Sequence, residues 1–146
     1  MPVFPSVEWL ESIKDVVNKD ERFRHFGTVD ARVGLKVGER AFEVDFEAYE
    51  VTNVREVTPE DLTHCDFWLE QEPRAWQEML ENIRRNGKAD VTHTLNTIDL
   101  NRAEGLAKGP DGYKVDLFYR YNQSLQDFFD SSARVETTFA EVPTQA

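Results

Sequence analysis

A single domain of helices and strands, α+β in class, is what the sequence predicts, and three observations predict it. The chain has 146 residues, 40% hydrophobic, 31% charged and 12% aromatic, which is the size and composition of one domain with a real core. Apolar and polar residues alternate from Val29 to Ala48, the period of a sheet with one buried face. Elsewhere apolar residues recur three and four apart, the spacing of amphipathic helices.

The elements follow in order. Ser6 is an N-cap after Pro5, and Trp9, Leu10, Ile13, Val16 and Val17 form the apolar stripe of a first helix. Residues Asp20 to Phe26 read as a second short helix stopped by Gly27. Two strands follow. Val29, Ala31, Val33, Leu35 and Val37 alternate with polar residues; Phe42, Val44, Phe46 and Ala48 do the same after a turn at Gly38-Glu39. The second strand has an acidic, solvent-facing side of Glu43, Asp45 and Glu47, with Arg32 and Lys36 as its expected cross-strand neighbours. Val51, Val54 and Val57 either continue the sheet or carry a bend. Thr58-Pro59-Glu60-Asp61 starts a brief helix. Cys65, Phe67 and Leu69 alternate with Asp66, Trp68 and Glu70 as a third strand. Pro73 opens a helix with Trp76, Met79, Leu80 and Ile83 on one stripe, ended by Gly87.

Residues 88–112 read less clearly. Asp90 caps a helix using Val91, Leu95 and Ile98, or Thr92, Thr94 and Thr97 favour a strand. Four residues, Gly105, Gly109, Pro110 and Gly112, make a loop before a closing helix marked by Phe118, Tyr121, Leu125, Phe128 and Phe129. Val135 to Phe139 reads as a last edge strand, with a frayed tail from about 140.

Composition excludes several functions. The net charge of −11 argues against a nonspecific nucleic-acid binder and against docking by charge on an anionic bilayer. No stretch approaches a membrane span, and the start, MPVFPSVEW, has no secretory pattern, so the expectation is a cytoplasmic protein. The single cysteine, Cys65, rules out an internal disulfide and a multi-cysteine zinc site. There is no glycine-rich phosphate loop, nucleophile elbow or histidine pair at helical spacing. His25, His64 and His93 are scattered. His64 and Asp66 share a strand face while Cys65 opposes them, which is not a nucleophilic pair. No catalytic residue, metal or cofactor is expected.

The positive signal is apolar: ten phenylalanines, four tyrosines and three tryptophans. The closing helix carries Leu117, Phe118, Tyr119, Tyr121, Phe128 and Phe129, more than one stripe facing a sheet needs. It can line a cavity, or it can be dense core or a dimer face.

Several segments together resemble sterol carrier protein type 2-like domains. Trp9-Leu10 with Ile13 and Val17, then Glu21-Arg22-Phe23, look like the family's opening, and the strand pair from Val29 to Ala48 follows as it does there. Asp66-Phe67-Trp68-Leu69 and the helix from Pro73 to Leu80 continue the likeness, and Leu125 to Phe129 resembles the closing helix. The resemblance covers roughly residues 4–86 and 114–130. Residues 88–113 depart from it: the family commonly has a compact glycine-containing strand there, where this chain has a longer polar stretch. The resemblance implies an α+β fold, with helices on a mostly antiparallel sheet, and an apolar tunnel for a lipid, sterol or acyl chain. The expected ligand wall is Trp68, Trp76, Leu80, Phe118, Tyr121, Leu125, Phe128 and Phe129. The partner is then an apolar small molecule, with no nucleic acid and no stable membrane insertion. The alternatives are a cofactor-independent isomerase or hydratase, and a homodimeric interaction domain marked by Trp68.

Overall fold

The computed structural model describes residues 2–102 and 105–139. The chain begins with a short strand, β1 (Val3–Phe4), and helix α1 (Val7–Asn18). The Ser6 side chain accepts from the Trp9 backbone N–H, as the sequence predicts for the cap. Helix α2 (Glu21–His25) is capped by Asp20 in the same manner. Strands β2 (Ala31–Val37), β3 (Arg40–Glu47) and β4 (Glu50–Val57) form a meander, so the valines from 51 to 57 continue the sheet. The 3₁₀ segment Pro59–His64 leads into β5 (Phe67–Gln71) and helix α3 (Pro73–Asn86). Gly87 ends α3 with φ of 80°, a left-handed conformation that favours glycine.

The weakly patterned region resolves into a small helix and a two-residue strand. Helix α4 (Leu95–Asn101) is capped by Thr94, not Asp90, and Val91 lies outside it, exposed. Asp90 instead receives bonds from Thr92 and Asn82. Strand β6 (Ala107–Lys108) pairs with β5. The aromatic closing element is two helices, α5 (Gly112–Arg120) and α6 (Asn122–Asp130), meeting at Tyr121. A 3₁₀ turn, Ser131–Arg134, follows, and then β7 (Thr138–Phe139). The expected edge strand is thus short, and it pairs with β1 in a separate parallel ribbon. The expected frayed tail lies outside the described residues.

The main sheet has the order β4-β3-β2-β5-β6. β2 and β5 are parallel and the other neighbours antiparallel. In register, Val54, Val44, Val33 and Phe67 cross its inner face, as do Phe42, Leu35 and Leu69. One apolar core joins that face to Trp9, Leu10, Ile13 and Val17 of α1, to Trp76, Met79, Leu80 and Ile83 of α3, and to Phe118, Leu125, Phe128 and Phe129. This is an α+β fold with helices covering a mixed, mostly antiparallel sheet.

The outer face differs from expectation. Lys36 lies opposite Ala41, not an acid, and Arg55 on β4 takes its expected place beside Glu43 and Asp45. Glu43 is buried, not solvent-facing, because the 3₁₀ segment folds over that face. Cys65 precedes β5 and packs with Leu62 and Ala41 on the outer side, so it does not share the inward face of Phe67 and Leu69.

Candidate functional site

The predicted ligand wall divides into three groups. Trp76, Leu80, Phe118, Leu125, Phe128 and Phe129 are all buried in the inner core. Their rings touch one another and the sheet: Trp76 and Phe129 centroids are 5.5 Å apart, Phe128 and Phe129 5.2 Å, Phe128 and Phe46 5.6 Å, and Phe118 and Phe67 6.2 Å. Tilted and edge-to-face contacts at these distances are those of packed aromatic cores. The Trp76 indole N–H is satisfied by the Lys36 carbonyl at 2.9 Å. The aromatic surplus therefore forms continuous packing between α3, α5, α6 and the sheet.

Tyr121 is the second group. It is half-buried at the junction of α5 and α6 and lines an open cleft of about 600 Å³. Helical bonds continue into the junction, Tyr121 N–H to Leu117 and Leu125 N–H to Tyr121. The residue itself has ψ of 11°, which turns the axis. The inward spacing predicted for 118, 121, 125 and 128 thus holds at three positions and is relaxed at the turn.

Trp68 stands alone as the third group, on the opposite face of the sheet. It packs against Ala41, Leu62 and Cys65, and its indole N–H donates to Glu70 at 3.2 Å. The covering element that an outward tryptophan needs is the 3₁₀ segment of the same chain, so Trp68 shares no wall with the other seven residues.

Beneath that segment lies a charged network. Arg55 bonds Glu43 and Asp45, and Arg32 bonds Asp45 at 2.9 Å. Burial pushes the Asp45 carboxyl up, but its bonds from Arg55 and Arg32 outweigh this and hold it below the usual carboxylate range. Burial, together with the neighbouring Glu43, pushes the Cys65 thiol up to about 12. A thiol so held is a small core residue and not a nucleophile.

The histidines do not converge. None lines the cleft at Tyr121. His64 lines a separate cleft with Asp45 and Asp66, while His93 bridges Asp90 and Glu78 at 2.9 Å each. Among the described residues no group of three or more His, Cys, Asp or Glu side chains is arranged to hold a metal ion. No helix among them is long and apolar enough to cross a membrane.

Sequence patterning missed a polar trough on the outer side of α6. The cleft at Tyr121 and a neighbouring one of about 290 Å³ share Phe26, Asn96, Asn122 and Gln123. The second also takes in Asp127, which is only 5% exposed although it carries a carboxylate. The available signal was an acid wedged between Leu125 and Phe128 in an apolar stripe.

No protein-family model matches the sequence, and no curated protein matches it. The fold matches the crystal structure of sterol carrier protein 2 with a TM-score of 0.67 and 18% identity, covering 90% of this chain and 98% of that one. It also matches the solution structure of a conserved hypothetical protein from Thermus thermophilus, described as a candidate sterol carrier protein, with a TM-score of 0.65 and 20% identity over 91% of this chain and 90% of that one. At these identities the likeness concerns architecture, and the element order and sheet agree with it: the chain has the sterol carrier protein fold.

Proposed function

We propose that this protein binds or carries an apolar small molecule, a lipid, sterol or acyl chain, between the inner face of its sheet and helices α5 and α6. The observation that carries the reading is the match of its fold to sterol carrier protein 2 over 90% of this chain. The residues of that region are apolar and catalytically inert, as such a task requires. A ligand gains about 25 cal/mol per Å² of its apolar surface removed from water, so no polar cluster is needed for affinity. The protein's own rings fill this space. A ligand therefore enters by displacing them, with the turn at Tyr121 as the place where α5 and α6 separate. Trp76, Leu80, Phe118, Leu125, Phe128 and Phe129 then become its wall, with Tyr121 at the mouth. Trp68 has no part in it. Cytoplasmic residence completes the reading, and light scattering tests whether the chain works as a homodimer.

Native mass spectrometry of gently purified protein, followed by organic extraction, tests the proposal. A co-purifying apolar species, displaced by a fluorescent fatty-acid probe or displacing it, is the expected result. A chain that carries no such species and gives no saturable signal with fatty-acid or sterol probes is not an apolar-ligand carrier.

A further inference from the structure

Residues 89–95 run from α3 to α4 as a strap whose two ends enter the apolar core. Ala89 and Leu95 are both buried in it, while Val91 between them is 82% exposed. On one side the strap is held by α6: Ala89 N–H donates to Asp130 at 3.0 Å and Leu95 N–H to the Gln126 side chain at 2.8 Å. On the other it is held by α3. The buried Asn82 exchanges two hydrogen bonds with Asp90, its Nδ2 donating to the carboxylate at 2.8 Å and its Oδ1 accepting from the Asp90 N–H at 2.9 Å. The strap therefore joins the two helices that carry Trp76, Leu80, Leu125, Phe128 and Phe129 of the apolar wall.

The second tie to α3 is His93. Its Nδ1 lies 2.9 Å from Asp90 Oδ1 and its Nε2 2.9 Å from Glu78 Oε2. An ionised carboxylate only accepts, so both contacts are hydrogen bonds only when both ring nitrogens carry protons. A neutral imidazole has one N–H and leaves one carboxylate facing a lone pair. Thr92 does not make good the loss: its hydroxyl, 2.7 Å from Asp90 Oδ1 and 2.9 Å from His93 Nδ1, has one proton for the two. The charged groups facing the ring are Asp90 from the strap and Glu78 from α3. The α6 acid at the strap, Asp130, accepts from Ala89 N–H and Gln126. The Asp90 bond, helped by that to Glu78, raises the His93 pKa above its ordinary value against the opposing effect of burial.

We propose, resting on the apolar-carrier reading, that residues 89–95 are a latch between α3 and α6 which protonated His93 fastens, so that deprotonation loosens it and speeds exchange of the apolar ligand. The fastening is complete below pH 6.5 and is lost as pH climbs through the raised folded-state value. Glu78 is largely exposed, so the tie has the strength of one partly screened ion pair. It biases the strap and does not hold it alone, because the bonds to Asn82 and to α6 need no proton on the ring.

Hydrogen exchange of the ¹⁵N-labelled chain from pH 6 to 9, corrected for the intrinsic pH dependence of exchange, tests the latch without any ligand. Protection of the Ala89, Asp90 and Leu95 amides is expected to fall about two- to fivefold relative to the amides of β2 and β3, the range for one exposed ion pair. Its midpoint is expected to match the His93 ring titration followed by NMR. Release of a fluorescent sterol or a neutral acyl-chain probe, neither of which titrates in that range, is followed by stopped flow and is expected to quicken by a similar factor. His93→Gln removes the titrating group and is expected to flatten both profiles. Glu78→Gln, at a side chain 73% exposed, removes one of the two charges and is expected to shrink them, and it serves if His93→Gln does not fold. Strap protection that does not follow the His93 titration, or that keeps its pH dependence in His93→Gln, would overturn the latch. Probe release that stays constant while the strap loosens would overturn its role in exchange. A chain that binds neither probe at any pH refutes the carrier reading and that role with it, whereas the exchange data, which need no ligand, still decide the latch.

Discussion

Cys65 and Gly34 illustrate how single side chains set the outer face of the sheet. The Cys65 thiol is buried, touches Glu43 at 3.6 Å and is held near 12. It is expected to stay unmodified by a thiol reagent at pH 8 in native protein and to react fully in denaturant, as checked by mass spectrometry. Rapid native labelling would contradict the packing described. Gly34 owes its identity to close approach: a Cβ there would meet Leu62 Cδ2 at 2.5 Å and Trp68 Cβ at 2.7 Å. Gly34→Ala therefore pries the 3₁₀ segment from β2. It is expected to cost about 1–3 kcal/mol in chemical denaturation, the usual penalty for overpacking. His93 is a third case. Its bond to Asp90, assisted by Glu78, raises its pKa above the ordinary value of 6.5. A raised histidine contributes stability that is complete below 6.5 and lost as pH climbs through the folded-state pKa. The stability difference between wild type and His93→Gln should shrink as pH rises from 6 to 9 in denaturation series. A difference that is constant across that range assigns His93 no ionic role.

Between β5 and α5, Asp99 does the work of a missing regular element. One oxygen accepts from Leu106 N–H at 2.7 Å and Ala107 N–H at 3.3 Å, and the other from Tyr119 O–H at 2.6 Å. It thereby ties α4 to β6 and to α5. Asp99→Ala leaves two buried N–H groups and a hydroxyl short of partners, so a loss of about 2–4 kcal/mol is expected in denaturation, several-fold more than for an exposed acid. Hydrogen exchange should quicken at Leu106 and Ala107 in the variant. This organisation explains why the region was hard to read. A helix of seven residues has little periodicity to show, and β6 has two residues. Their stability comes from a carboxylate whose partners lie seven to twenty positions away, a relation no local pattern carries. By contrast α1, the β2–β3 hairpin and α3 were legible, because each repeats its apolar period and has its own cap or turn residue. The candidate wall was legible as buried aromatic surface. Its division by the sheet was not, because alternation along β5 says that Trp68 faces away but not what covers it. The turn at Tyr121 was equally hidden, since 3-4-3 spacing holds one face whether or not the axis bends.

At the scale of the whole molecule, the core decides between packing and binding. Phe128 touches Phe46 on the inner face of the sheet and Phe129 beside it. Phe128→Ala is expected to cost about 3–5 kcal/mol, the value for a fully packed phenylalanine. Measured on the same variant, fatty-acid probe affinity per folded molecule distinguishes a ring that lines a displaceable wall, where affinity changes as well, from one that serves the core alone. The two-stranded ribbon has a different bearing. Val3–Phe4 is held by Thr138–Phe139, and the Trp9 indole reaches Thr137 at 2.9 Å across the same seam. During synthesis this seam cannot close until residue 139 has left the ribosome, however early α1 and the meander form. Phe4 and Trp9, both buried in the folded protein, must wait for that segment with part of their cover absent. Residues 137–139 thus act as a clasp, and a ribosome stalled before them would display a largely folded domain with an apolar seam still open to chaperones and proteases.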